Sequence, residues 1–181
     1  LAIHGVVVKT DGTRININIG DKETDPVFCI TDLLPHLGQE QMQKNAAKVI
    51  EGESLDLLIG SQPVKGEEKE GVTKFINALL EKEYGFVERD LLSAELEIVP
   101  AGKARDMGFD RSMIIAYGQD DRVCAYTSLV AMLEVDKVKR TTCCLLVDKE
   151  EIGSVGATGM QSRFFENAVA EILTLMGKPN S

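Results

Sequence analysis

The stretch that decides the fold is TTCCLLVDKEEIGS, residues 141–154. Its first half, residues 141–147, combines high β propensity with apolar character, so it predicts a buried strand. Two adjacent carboxylates, Glu150 and Glu151, follow shortly after that run. Burying such charges is costly unless metal ions or cationic partners compensate for them. Because open α/β sheets bind ligands at the carboxyl ends of their strands, the Glu-Glu pair is predicted to belong to an active site.

The residues on either side of this stretch alternate between strand and helix patterns. Residues 113–117 form a short apolar run, and residues 123–133 have the pattern of an amphipathic helix. A final helix is predicted from the spacing of five apolar residues, Phe165, Ala168, Val169, Ile172 and Leu175. Such alternation is typical of an α/β domain with largely parallel strands, here residues 105–181.

Residues 1–104 are predicted to form a separate domain. Alternating apolar residues flank Asp11 and Gly12, a pair that favours a tight two-residue turn in a hairpin. The irregular segment 102–110 is the predicted domain boundary. A helix that ends at Gly85 is predicted from five apolar residues at helical spacing, Val72, Phe75, Ile76, Leu79 and Leu80.

The composition argues against several classes of protein. The chain has 181 residues and a net charge of −9, so non-specific binding to nucleic acid or to anionic membranes is not expected. Its apolar runs fall well short of the ~20 residues that a membrane helix needs. The four cysteines show no CxxC spacing, which favours free thiols, and we expect a cytoplasmic protein. Because Leu1 already lies in a strand-like run, we also expect a piece of a longer protein.

A second pair of acids follows the other predicted strand of residues 105–181. Asp120 and Asp121 stand in the same relation to their strand as Glu150 and Glu151 do to theirs. If the two strands are neighbours, the carboxylates converge, and such oxygen ligands suit Zn²⁺, Mn²⁺ or Co²⁺ provided that imidazoles complete the shell. One carboxylate can bridge two metals about 3.5–4 Å apart while another acts as a base. The alternative is that the acids only cap the helices that follow, which is worth about 0.5–2 kcal/mol.

This region resembles a known family of enzymes. The segments DKEEIGS, residues 148–154, and GMQS, residues 159–162, are similar to the DNEEVGS…GxQS segment of aspartyl aminopeptidase and vacuolar aminopeptidase I. The segment QDDR, residues 119–122, aligns with the LDNL segment of the same family. That family comprises di-zinc aminopeptidases, and the resemblance covers essentially the whole chain. It implies part of an α/β zinc-peptidase-like catalytic domain, residues 105–181, with an inserted β-rich lid and dimerisation domain, residues 1–104.

The resemblance also implies a role for individual residues. Asp120 would be the ligand that bridges two zinc ions, and Glu151 would be a ligand to one of them. Glu150 would be the general base that activates the bridging water. Asp121 would follow a cis peptide bond that directs Asp120 towards the metals. His36, in the lid, would reach into the neighbouring subunit's active site and contact substrate, although a lone loop histidine is more often only an exposed polar residue.

Part of the family's metal site has no counterpart in this sequence. By resemblance, the zinc shell also uses one histidine before the lid, and an aspartate and a histidine well after the Glu-Glu pair. The two histidines present are His4, in the first predicted strand of the lid, and His36, and neither corresponds to those ligands. We therefore expect an internal fragment of a longer aminopeptidase that binds zinc weakly or not at all and hydrolyses nothing alone.

Two functions stay open on the sequence. The first is a zinc-dependent metalloaminopeptidase that removes N-terminal amino acids from peptides, in which lids pair subunits into dimers and dimers form a closed homo-oligomer such as a dodecamer. The second is a non-catalytic oligomerisation or interaction module with a vestigial acidic cluster. A generic acidic α/β binding domain would require the Glu-Glu match to be chance. The glycine-rich segment 153–159 lacks the spacing of a nucleotide-binding loop.

Overall fold

The structure is a computed structural model that describes residues 1–67 and 69–178. The chain divides into two compact units, residues 1–104 and residues 105–181, and both helices and strands occur in each. The described helices include none that is long and apolar enough to cross a membrane. All four cysteines are free, as the sequence predicted.

The first unit contains two antiparallel sheets. In chain order, its strands and α-helices are β1 Ala2–Val8, β2 Arg14–Ile19, β3 Cys29–Ile30, α1 Gln39–Met42, β4 Leu57–Leu58, α2 Gly71–Leu79 and β5 Ala94–Val99. Strand β1 lies in the middle of a three-stranded sheet with the order β2–β1–β5, while β3 pairs with β4. Short 3₁₀ helices span Gly52–Ser54 and Glu88–Ser93.

The core of the first unit lies on one face of the larger sheet. In β2 the isoleucines point inward and the asparagines between them are exposed, because successive side chains of a strand lie on opposite faces. The sheet is continuous across β1, since Val7 is paired with Ile15 of β2 and with Ala94 of β5. The buried cluster consists of Val7, Ile17, Ile19 and Phe86.

The hairpin between β1 and β2 is confirmed, but its loop differs from the prediction. The N–H of Lys9 donates to the Thr13 carbonyl at 2.8 Å, and the N–H of Gly12 donates to the Lys9 carbonyl at 2.9 Å. Gly12 has a φ of 84°, in the left-handed region. The loop therefore has three residues with glycine in the last position, and not the predicted two. A turn of this type ends in a bulge that needs a left-handed residue, which Gly12 supplies after Asp11.

The predicted helix that ends at Gly85 is also confirmed. Helix α2 continues as a π-helical turn, Leu80–Tyr84, and Gly85 follows it with a φ of 77°. The N–H of Gly85 donates to the carbonyl of Glu81 at 3.1 Å. This left-handed stop turns the chain so that the next residue, Phe86, enters the core.

The second unit contains one antiparallel pair of strands and two helices. Its elements are β6 Arg105–Met107, β7 Met113–Ile115, α3 Gln119–Leu133 and α4 Phe164–Leu175, and β6 pairs with β7. The strand predicted from residue 113 and both predicted helices are confirmed, and the regular part of α3 begins after Asp121, close to the predicted start at residue 123. The expectation of parallel strands is wrong, since every strand pairing among the described residues is antiparallel.

The predicted strand over residues 141–147 is wrong as well. This segment belongs to no strand, and its side chains Leu145 and Leu146 are exposed. The reason is that β propensity measures how well a side chain packs on a sheet, so it acts only where a neighbouring strand is available. None of the described residues forms a ladder with this segment. The mixed α/β composition predicted from the sequence is therefore correct, while the predicted parallel sheet does not form.

Candidate functional site

Asp120 and Asp121 lie at the start of α3, where the backbone is not yet helical. Gly118 precedes them with a φ of 76°, a left-handed conformation that glycine adopts readily. Asp120 has φ −89° and ψ 110°, and Asp121 has φ −122° and ψ 41°. The peptide bond between them is cis, which confirms what the resemblance implied. Asp120 is exposed and Asp121 is half-buried.

The alternative interpretation, that the acids only cap helices, can be compared with the hydrogen bonds at the two helix N-termini of the second unit. Helix α3 has no side-chain hydrogen bond at its N-terminal cap, Gly118. Helix α4 begins well after Glu151, and the N–H of Phe164 in its first turn donates to the Ser162 hydroxyl oxygen at 3.3 Å. Neither helix cap of the second unit, Gly118 or Arg163, carries a side-chain hydrogen bond, and the regular part of α3 begins only after Asp121, so the capping interpretation stays open beside the metal-binding one.

Glu150 and Glu151 lie in a tight turn of defined type. The N–H of Ser154 donates to the Lys149 carbonyl at 2.7 Å, and the N–H of Gly153 donates to the Glu150 carbonyl at 3.0 Å. This nested pair of bonds is the Schellman motif, and Gly153 occupies its left-handed position with a φ of 96°. Both glutamates are exposed. The turn therefore presents two adjacent carboxylates at the surface.

Gln161, which was given no role from the sequence, contacts this turn. Gln161 donates from its main-chain N–H to the Ser154 carbonyl at 3.3 Å, and its side-chain amide donates to the Gly153 carbonyl. Gln161 belongs to the GMQS segment that carried part of the family resemblance. Its contact could not be predicted, because it joins residues that lie apart in sequence with no regular helix or strand between them.

The chemistry of the acids fits a divalent metal, but the structure does not assemble a complete set of ligands. Carboxylate oxygens are hard ligands that zinc, manganese and cobalt accept. Across residues 1–67 and 69–178, no group of three or more His, Cys, Asp or Glu side chains is placed to hold a metal ion. The convergence argument required two neighbouring strands, and the second of these is not formed. The roles of Asp120, Asp121, Glu150 and Glu151 therefore stay predictions.

Both histidines belong to the first unit. His4 lies in β1, and its Nε2 is 3.2 Å from the Asp21 carboxylate, so it is a hydrogen-bonded strand residue as expected. His36 is exposed in a turn in which the N–H of Gly38 donates to the Leu34 carbonyl at 2.9 Å. Its proposed contact with substrate in a neighbouring subunit stays a prediction.

Two cavities formed by described residues are not lined by the acids. One of about 550 Å³ lies in the first unit, where Lys44 and Glu51 form an ion pair of 2.7 Å at its wall beside apolar residues such as Ile50. The other, of about 360 Å³, is lined by α3 together with Cys143 and Cys144. Cavity volume therefore does not identify the candidate site. Three of its four acids, Asp120, Glu150 and Glu151, are instead exposed at the surface.

The whole chain is similar to a family of peptidases. Residues 1–180 match the family model described as aminopeptidase I zinc metalloprotease (M18). A probable M18 family aminopeptidase 1 from Clostridium acetobutylicum is 61% identical over 178 residues, which are 98% of this chain and 38% of that protein. The chain thus spans 38–40% of the length of the curated relatives it matches.

Solved structures lead to the same family. The crystal structure of aminopeptidase I from Clostridium acetobutylicum matches with a TM-score of 0.75 and 61% identity, over 96% of this chain and 38% of that one. The crystal structure of an M18 family aminopeptidase from Thermotoga maritima matches with a TM-score of 0.79 and 47% identity, over 99% of this chain and 39% of that one.

Proposed function

The chain belongs to the M18 family of zinc metalloproteases, and we propose that it carries the lid and part of the catalytic domain of a metalloaminopeptidase. The reaction would be the removal of N-terminal amino acids from peptides. The observation that carries the proposal is the family match over residues 1–180. It is supported by the two pairs of adjacent acids, one at the non-helical start of α3 and one exposed in the turn of residues 149–154.

Three acids would divide the chemistry between them. Asp120 and Glu151 would hold zinc, with manganese or cobalt as substitutes, and two metal ions per subunit are proposed. Bound zinc supplies a Lewis acid that polarises a peptide carbonyl. Glu150 would take a proton from the attacking water and deliver it to the leaving amine. Asp121 would orient Asp120 from the start of α3, where both residues depart from helical geometry.

The first unit would pair subunits. His36 lies among exposed leucines, Leu33, Leu34 and Leu37, which are 59–71% exposed. Apolar patches of this kind commonly mark contact surfaces between proteins. We propose that this lid surface forms a dimer in which His36 reaches the partner's substrate, and that dimers assemble further, as far as a dodecamer. The four free cysteines support a reducing compartment, the cytoplasm.

The second candidate function is a non-catalytic oligomerisation module. The observation that favours it is that the described residues bring no three metal-binding side chains together. In that case the acids would be vestigial and the lid would be the working part. The two candidates differ in whether Glu150 matters for hydrolysis.

A chimera tests the proposal directly. The matching 178-residue segment of the Clostridium acetobutylicum relative is replaced by this chain, and hydrolysis of leucine-, aspartate- and glutamate-anilides is measured with Zn²⁺, Mn²⁺ or Co²⁺. We expect turnover that Glu150→Gln reduces by about 10²–10⁴-fold, the usual contribution of a general base. Glu171→Gln, an exposed glutamate in α4, is the matched control and should leave turnover unchanged.

The same measurements separate the two candidates. A folded chimera that hydrolyses none of the anilides would favour the oligomerisation module, and so would turnover that Glu150→Gln leaves intact. Calorimetric titration of the chain alone with zinc should show weak binding or none. Two tight sites in the chain alone would contradict the expectation that it lacks part of the metal shell.

A further inference from the structure

The turn that carries Glu150 and Glu151 accepts a hydrogen bond from the side chain of Gln161, which lies outside it. We propose that Gln161 is a positioning residue that holds the two glutamates in place for the reaction. This inference rests on the proposed function, because that function gives the glutamates their roles. The two hydrogen bonds of Gln161 to the turn go to backbone carbonyls, so it would act through the glutamates and not on substrate.

Gln161 binds two consecutive carbonyl groups where the turn ends. Its side-chain amide donates to the Gly153 carbonyl, and its main-chain N–H donates to the Ser154 carbonyl at 3.3 Å. The turn's own hydrogen bonds use the N–H groups of these two residues. Both backbone polar groups of Gly153 and of Ser154 are therefore hydrogen-bonded, the N–H groups within the turn and the carbonyl groups to Gln161. Because both bonds come from one residue, they fix the orientation of the turn relative to Gln161 as well as its distance from that residue.

A glycine allows this approach. Gly159 is buried, and a Cβ atom at that position would overlap the carbonyl oxygen of Ser154. The returning chain therefore runs directly against the end of the turn, which places Gln161 within reach of both carbonyls. Any larger residue at position 159 would push the two segments apart.

The same residues connect the turn to α4. The N–H of Ser162 donates to the Gly159 carbonyl at 2.9 Å, and the Ser162 hydroxyl accepts from the N–H of Phe164 at 3.3 Å. Hydrogen bonds thus link the glutamate turn to Gln161, and the covalent chain links Gln161 to Ser162, which is bonded to the first turn of α4. Gln161 therefore connects the glutamate turn to the segment that leads into α4.

The proposal is tested on the metal-free chain by amide hydrogen exchange and carbon chemical shifts in NMR spectra. Gln161→Glu keeps the side chain's shape and removes its N–H donor. We expect the Gly153 and Ser154 amides to exchange about fivefold faster, the effect of losing one hydrogen bond of typical net strength. The carbonyl shift of Gly153 and the backbone shifts of Glu150 and Glu151 should move as well. Gln161→Lys, which keeps an N–H donor of similar reach, should restore all of these.

The experiment has a control variant in the first unit and three outcomes that would contradict the proposal. Gln62→Glu makes the same charge change at an exposed loop position of the first unit, and should alter none of these signals. Unchanged exchange in Gln161→Glu, faster exchange throughout α3 and α4, or failure of Gln161→Lys to restore protection would each overturn the proposal. Faster exchange throughout α3 and α4 would show that Gln161 has a general structural role.

The outcome does not depend on the proposed function, because the measurement needs neither metal nor substrate. An inactive chimera together with the expected exchange pattern would overturn the aminopeptidase proposal alone. An active chimera with no effect of Gln161→Glu on the turn would overturn only the positioning role.

Discussion

The two units bury their apolar residues to very different extents. The first has a closed core whose four members are 0–7% exposed, Val7, Ile17, Ile19 and Phe86. In the described part of the second unit no apolar residue is buried to that degree, and α3 exposes Tyr126 and Leu133 at 68% and 74%. The first unit is thus organised by long-range strand pairing around a core, and the second by more local hydrogen bonds within its helices, its turns and the β6–β7 pair.

This difference shows where burial supplies stability and where it does not. A buried aliphatic or aromatic side chain contributes about 1.5–3 kcal/mol relative to an exposed one, and the first unit gains this repeatedly. The second unit keeps many of its apolar side chains exposed, so it gains less from burial. Substitutions should therefore affect the two units through different mechanisms.

The largest expected effect contrasts two phenylalanines. Phe86 is 4% exposed in the core of the first unit, and Phe109 is fully exposed in the second. Phe86→Ala should lower the free energy of unfolding of the first unit by about 3–5 kcal/mol, because it leaves a cavity in a packed core. Phe109→Ala should change the stability of either unit very little. Urea denaturation followed by the amide signals of β1 measures the difference, and similar losses in the two variants would contradict the contrast.

A smaller effect is expected at a glycine in the central strand. Gly5 has a φ of 145°, and a Cβ atom there would overlap the carbonyl oxygen of Glu95 in the paired strand. Gly5→Ala should therefore destabilise the first unit by roughly 1–3 kcal/mol, the usual cost of a strained backbone position. Gly52→Ala is the matched control, since nothing lies within 4 Å of its Cβ position. Equal midpoints in thermal unfolding for these two variants would argue against the close approach of β1 and β5.

The smallest effect concerns pH. The backbone N–H of Lys22, at 3.1 Å, and that of Gly20, at 3.2 Å, hold the pKa of the Asp25 carboxyl below its usual value. Because the folded pKa is the lower one, this contribution is fully present above the unfolded value of about 3.9 and is lost as pH falls through the folded value. Asp25→Asn should thus remove part of the loss of stability of the first unit below about pH 4.

The control for this pH dependence lies in the second unit. The backbone N–H of Ser112 lowers the pKa of Asp110 in the same way, within the turn between β6 and β7. Asp110→Asn should leave the acid unfolding of the first unit unchanged. Thermal unfolding at several pH values between pH 2 and pH 6, again followed through β1, distinguishes the two. A similar effect of both substitutions on β1 would mean that the two units do not respond independently.

Local pattern predicted the helices well and the strands less well. Helix α4 and the helix that ends at Gly85 follow directly from apolar spacing and a glycine stop, which are properties of neighbouring residues. The hairpin at Asp11 was predicted for the same reason, although the loop has one more residue than expected. The prediction of a strand at residues 141–147 was wrong because a strand needs a partner strand, which the spacing of residues within one segment does not reveal.

The candidate site also has features that were predicted and a feature that was not. The resemblance correctly implied the cis bond between Asp120 and Asp121, and the comparisons confirm the family. The hydrogen bonds from Gln161 to the glutamate turn were not predicted, since they depend on the return of the chain past a buried Gly159. Whether Asp120 and Glu151 share a metal ion stays a prediction that the chimera can test.

The amino-acid sequence by itself determined the family, the residue types available for chemistry and the elements whose hydrogen bonds close within one helix or one turn. Only the tertiary structure decided which apolar runs become strands, which side chains form a core and how the Glu150 turn is held. The physical reason is that a helix or turn satisfies its backbone within a few neighbouring residues, whereas strand pairing and burial require distant segments to meet.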